Sequence, residues 1–104
     1  MTIQEHLLVC LMEECAEITK EASKALRFGL DERYPDLNSE SNKDAIFREF
    51  HDLVAVMCLI YDGDEVHNFD MEKISAKMKK VRHYLEYAEK QGTIDAPTGK
   101  NMAT

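Results

Sequence analysis

Residues 3–28 read IQEHLLVCLMEECAEITKEASKALRF, an unbroken run without Gly or Pro, followed at once by Gly29. Its apolar positions Leu8, Leu11, Cys15, Ile18, Ala22 and Ala25 recur in steps of three and four. That spacing puts them on one face of an α-helix, and a glycine just past the last turn is the usual helix stop. A helix of this length in a chain of 104 residues decides for an all-α fold.

Working outward, residues 29–43 contain Gly, Pro, Asn and Ser and read as a loop, with Pro35 excluding a continuous helix. A connection this long in a small domain is either mobile or functional. A second helix is expected from Ser41 or Asn42, either of which can cap it, to a point before Gly63. Its seam is Ile46, Phe50, Leu53, Met57 and Ile60, and residues 53–61 are apolar nearly all round. The third helix starts at an Asp70 cap, carries the seam Met71, Ile74, Met78, Val81, Leu85 and Ala88, and stops before Gly92. Residues 1–92 thus form the helical domain, and residues 93–104, with Pro97 and Gly99, a loose tail. The three helices are expected antiparallel, with oligomerisation completing a helical bundle, because three helices alone bury a modest core.

The net charge of −7 argues against a nucleic-acid or anionic-membrane binder, which needs a basic surface. The longest apolar run, residues 53–61, is too short to span a bilayer, and no signal peptide is expected. Cys10, Cys15 and Cys58 are odd in number and lack CxxC spacing, so they read as small packed hydrophobes in a reducing, cytoplasmic setting.

Two acidic phrases stand out, Glu13-Glu14-Cys15-Ala16-Glu17 and Glu49-Phe50-His51-Asp52. Without their five acids, 15 acidic residues face 13 basic ones, so most of the net charge sits in these phrases. Neighbouring carboxylates on a helix face repel unless a cation answers them. Two such clusters facing each other make an all-oxygen cage for a hard divalent ion such as Mg²⁺. The angles favour convergence. Glu14 and Glu17 fall about 70° and about 130° from the first seam, and Glu49 and Asp52 about 65° and about 125° from the second, in the same sense. If consecutive helices pack antiparallel, same-sense offsets land in one groove.

The order E-E-x-x-E then E-x-x-D resembles the signature of the MazG-like, all-α nucleoside triphosphate pyrophosphohydrolases, over roughly residues 5–61. The 31 residues between Glu17 and Glu49 make a longer spacing than is usual there. The resemblance implies a homodimer or homotetramer that hydrolyses a nucleoside triphosphate to the monophosphate and pyrophosphate. Glu14, Glu17, Glu49 and Asp52 would hold Mg²⁺, with Mn²⁺ as a substitute ion. Glu13 would be an outer group, a ligand for a second ion, or the base that orients water. The family also carries basic residues on the next helix, which points to Lys77 and Lys80 as phosphate contacts. Lys24 and Arg27, beyond Glu17 on the first helix, are further substrate contacts, and Phe28, Tyr34, Phe47 and His51 are candidates for stacking on a base.

Two other readings compete. The first is a non-enzymatic helical metal-binding or adaptor module. The second takes His51-Asp52 as the dyad of an HD-type metal phosphohydrolase, although such sites need further His and Asp ligands across a larger domain.

Overall fold

A computed structural model describes residues 1–61 and 69–95. The described residues contain three α-helices: α1 (Ile3–Phe28), α2 (Asn42–Ile60) and α3 (Met71–Lys90). No strand occurs among them, only an isolated bridge between Arg33 and Ser41. No described helix is long and apolar enough to cross a membrane. The chain divides into two compact units, Met1–Asn68 with α1 and α2, and Phe69–Thr104 with α3.

Local chemistry sets the boundaries of α1. The Thr2 hydroxyl accepts from the Glu5 N–H at 3.0 Å, and the Glu5 carboxylate accepts from the Thr2 N–H at 3.1 Å. This reciprocal box satisfies two donors that a helix start otherwise leaves unpaired. The same two bonds, the backbone one first, hold the Glu5 carboxyl below its ordinary value. At the other end Gly29 donates to Ala25 O at 2.8 Å with φ at +111°, a conformation closed to most side chains.

The long connection is a hydrogen-bonded structure that brings its two ends together. Lys43 N–H donates to Leu30 O at 2.8 Å, and Asn42 N–H to Glu32 O at 3.0 Å. The Asn42 amide also reaches back 13 residues to Gly29 O at 2.8 Å. Within the loop, Arg33 donates to Ser39 O at 2.7 Å and the Asp36 carboxylate accepts from Asn38 N–H at 2.8 Å. Ser41 then caps α2 by accepting from Asp44 N–H at 3.1 Å.

On both helices of the first unit the covered face is turned away from the expected seam. On α1 the less exposed stripe is Leu7, Leu11, Glu14, Ile18, Glu21 and Ala25, whereas Leu8, Cys15 and Ala22 are exposed. On α2 it is Ala45, Ile46, Glu49, Leu53, Val56, Met57 and Ile60, whereas Phe50 is exposed. In each case the rotation is toward the acids. The seams read from sequence average two apolar faces, one turned to the neighbouring helix and one left in solvent. Cys15 is therefore an exposed free thiol rather than a packed one, while Cys10 and Cys58 are half-buried.

In the second unit, Asp70 caps α3 by accepting from the N–H groups of Glu72 and Lys73 at 3.0 and 3.2 Å. The helix closes where Thr93 donates twice to Ala88 O, and Gly92 takes a φ of +76°. Its apolar residues Met71, Ile74, Met78, Val81 and Leu85 are all exposed. Ala45 is the one buried hydrophobic residue among the described residues. Gly63, and Pro97 and Gly99 of the expected tail, lie outside the described residues.

Candidate functional site

Three of the predicted ligands meet. One carboxylate oxygen from each of Glu14, Glu49 and Asp52 lies within 4.8 Å of the others, with Glu49 buried, Glu14 half-buried and Asp52 exposed. One residue comes from α1 and two, a turn apart, from α2. The rotation of both covered faces toward the acids puts Glu14 and Glu49 inside the helix pair rather than on its border, with Asp52 at the rim. Such a set can hold a small cation and still leave it reachable from solvent.

The cost of assembling it falls on Glu14. Partial burial first, then the charges of Asp52, Glu49, Glu17 and Glu13, push its carboxyl above the ordinary value of 4.5. Glu17 and Glu13 are exposed and stand outside the three-oxygen group, yet both contribute to this field. Glu49 has an answering cation: Arg48 Nη1 is 2.9 Å from its Oε1. The Arg48 Nε also donates to both oxygens of Glu40, at 3.2 and 3.0 Å. The bond to Glu40 and then that to Glu49 strengthen the hold of Arg48 on its proton.

Farther along the same helix pair is a cavity of about 770 Å³, within the range of small-molecule sites. It lies between the C-terminal half of α1, the connection and the start of α2, with Glu21, Lys24, Phe28, Tyr34, Ala45 and Arg48 among its lining residues. As α1 advances from Glu14 to Phe28, its counterparts on α2 recede from Asp52 to Asn42. The two helices therefore run antiparallel, as expected of helices consecutive in the chain.

Comparison with family models, with characterised proteins and with solved structures returned no match. The site therefore rests on its own geometry.

Lys24 and Arg27, expected near a substrate, both line the cavity, and so do Phe28 and Tyr34. Phe47 and His51 do not. Their rings pack edge to face at 4.6 Å, and His51 Nδ1 lies 2.8 Å from Phe47 O. No histidine joins Asp52 in the acid group among the described residues. Lys77 and Lys80 are exposed on α3, in the second unit.

Sequence reading missed Glu21, Glu40 and Arg48. Glu21 is 6% exposed, and its Oε2 accepts no hydrogen bond, although Lys24 Nζ stands 3.4 Å from it. A signal was present, because Glu21 follows Glu14 by seven residues and so shares its face. Arg48 gave none beyond its place beside Glu49, since its partner Glu40 sits in the connection.

Proposed function

We propose that this chain is a divalent-metal-dependent nucleoside triphosphate pyrophosphohydrolase of the MazG-like kind, acting as a homodimer or homotetramer in the cytoplasm. The observation that carries the reading is the approach of Glu14, Glu49 and Asp52 within 4.8 Å across two antiparallel helices. Their all-carboxylate donor set fits Mg²⁺ or Mn²⁺. When bound, the ion supplies the positive charge that draws in a triphosphate and lowers the pKa of an attacking water.

The chain's own residues do the rest. Glu14, Glu49 and Asp52 would hold the ion, and Glu17 or Glu13 would orient water or bind a second ion. Arg48, fixed between Glu40 and Glu49, stiffens the α2 side of the cluster. Lys24 and Arg27 bind the nucleotide from the cavity, while Lys77 and Lys80 supply cations for the departing pyrophosphate. The α phosphorus is the expected point of attack, because no Gly-rich loop is present to grip β and γ phosphates for terminal transfer. The exposed apolar residues of α3, with Leu8 and Phe50, supply surface for assembly.

A second reading has one observation in its favour. Arg48 already answers Glu49 at 2.9 Å, as an internally compensated structural cluster would require. Incubation with a panel of ribo- and deoxyribonucleoside triphosphates and Mg²⁺, with products resolved by ion exchange, separates the two. Monophosphate and pyrophosphate, lost on adding EDTA, support the hydrolase. Diphosphate and inorganic phosphate refute the assigned bond, and no turnover of any triphosphate favours the structural module.

A further inference from the structure

We propose that Arg48 is a counter-ion shared between Glu40 and Glu49, and that this sharing sets how tightly the acid group binds a divalent cation. Arg48 is then a positioning residue that acts on the ion through Glu49, and Glu40 governs it from the connection. The inference rests on the reading of Glu14, Glu49 and Asp52 as cation ligands and adds the residues that tune them.

The first observation is where the Arg48 guanidinium spends its donors. Nη1 donates to Glu49 Oε1 at 2.9 Å, while Nε donates to the two Glu40 oxygens at 3.2 and 3.0 Å. An arginine keeps its proton in a protein, so one permanent positive charge is divided between two carboxylates. Glu49 belongs to the three-oxygen acid group and Glu40 does not. No other ion pair to Glu14, Glu49 or Asp52 occurs among the described residues.

The second observation is the difference in burial. The Glu49 side chain is 10% exposed, whereas those of Arg48 and Glu40 are 50% and 41% exposed. Packing already restricts Glu49, so Arg48 acts on it more by charge than by holding it in place. Arg48 and Glu40, half in solvent on the cavity wall, can shift without unpacking the helix pair.

Electrostatics then sets the direction. A cation arriving at Glu49 meets Arg48 as a like charge and as a rival for the same carboxylate. Glu40 offsets that charge and keeps a partner for the guanidinium when the ion takes Glu49. Losing Arg48 should therefore favour the ion. Losing Glu40, which leaves Arg48 to Glu49 alone, should disfavour it. A pair of structural value only would be broken alike from either side.

The test uses the full chain, stripped of metal, and isothermal titration with Mn²⁺, with helicity checked by circular dichroism. Arg48→Met should tighten Mn²⁺ binding about three- to tenfold, and Glu40→Gln should weaken it by about the same factor. The double variant should bind within about twofold of Arg48→Met, because Glu40 acts only through Arg48. If Arg48→Met does not fold, Glu40→Gln decides alone, and an affinity equal to wild type overturns the proposal. So does weaker binding by Arg48→Met, the loss of about 10–100-fold expected of a residue that orients a ligand. A Glu40→Gln effect that persists in full without Arg48 also overturns it. A wild type that binds no Mn²⁺ removes the cation site and the proposal together, whereas binding with the wrong signs removes the proposal alone. The expected pattern without triphosphate hydrolysis would leave Arg48 in this role and remove the hydrolase reading.

Discussion

Glu14 concentrates the electrostatic cost of the acid cluster. Its carboxyl is held above 4.5 in the folded chain, so the folded state binds more protons there than the unfolded state does. By linkage, the contribution of Glu14 is most favourable below 4.5 and is lost as pH rises through its folded value. Glu14→Gln removes that titration. In EDTA, the variant's thermal stability should gain on wild type from acid toward neutral pH, and a constant difference across that range would contradict the assignment. If the cluster holds Mg²⁺ as proposed, adding the ion should reverse the order by stabilising the wild type alone. Losing an outer partner of a metal ligand costs about 10–100-fold in affinity, so losing a ligand should cost at least that, as read by calorimetry.

At the scale of the element, stops and caps fix where α1 ends and α2 begins. Gly29 ends α1 with φ at +111°, and the Asn42 amide bonds its carbonyl. A Cβ at Gly29 would meet Glu32 Cβ at an ordinary 3.8 Å, so the cost of Gly29→Ala is backbone strain rather than a clash. That substitution should destabilise by about 1–3 kcal/mol in denaturant melts. Ser41→Ala removes the bond to Asp44 N–H and should cost about 0.5–2 kcal/mol. Either loss, if near zero, would mean that the connection does not fix the α2 start. On α3, Lys77→Ala and Lys80→Ala alter exposed residues. They should lower turnover several-fold while helicity by circular dichroism stays unchanged. Full activity in both would remove α3 from phosphate binding.

Taken as a whole, the molecule leaves much of its apolar surface in water. Ala45 is the only buried hydrophobic among the described residues, while Ile74, Met78, Val81 and Leu85 of α3 are 39–46% exposed. Burying one such side chain returns about 1.5–3 kcal/mol, so a stripe of them is a strong drive to associate. Light scattering at micromolar concentration should give a dimeric or tetrameric mass. Val81→Asp with Leu85→Asp should lower that mass by placing charge in an apolar interface. A monomeric wild type would contradict the assembly.

Helix number and limits were legible from local rules. The Gly29 stop, the Ser41 and Asp70 caps and the three-and-four spacing act within a few residues, so α1, α2 and α3 could be read before any packing was known. Helix angles put Glu14, Glu17, Glu49 and Asp52 in one groove, and of these Glu14, Glu49 and Asp52 approach one another while Glu17 stays exposed outside the group. Packing decided which face is covered. Apolar residues on two sides of α1 and α2 gave a seam between them, and only the fit of one helix on the other turned the acids inward and left Leu8, Cys15 and Phe50 in solvent. The cavity was likewise invisible in the sequence. Arg48 reaches Glu40 in the connection, and Glu21 lines an open cavity whose walls come from α1, α2 and residues between them. Periodicity describes one helix at a time. A cavity and an ion pair between a helix and the connection belong to several elements at once, and exist only when they are folded together.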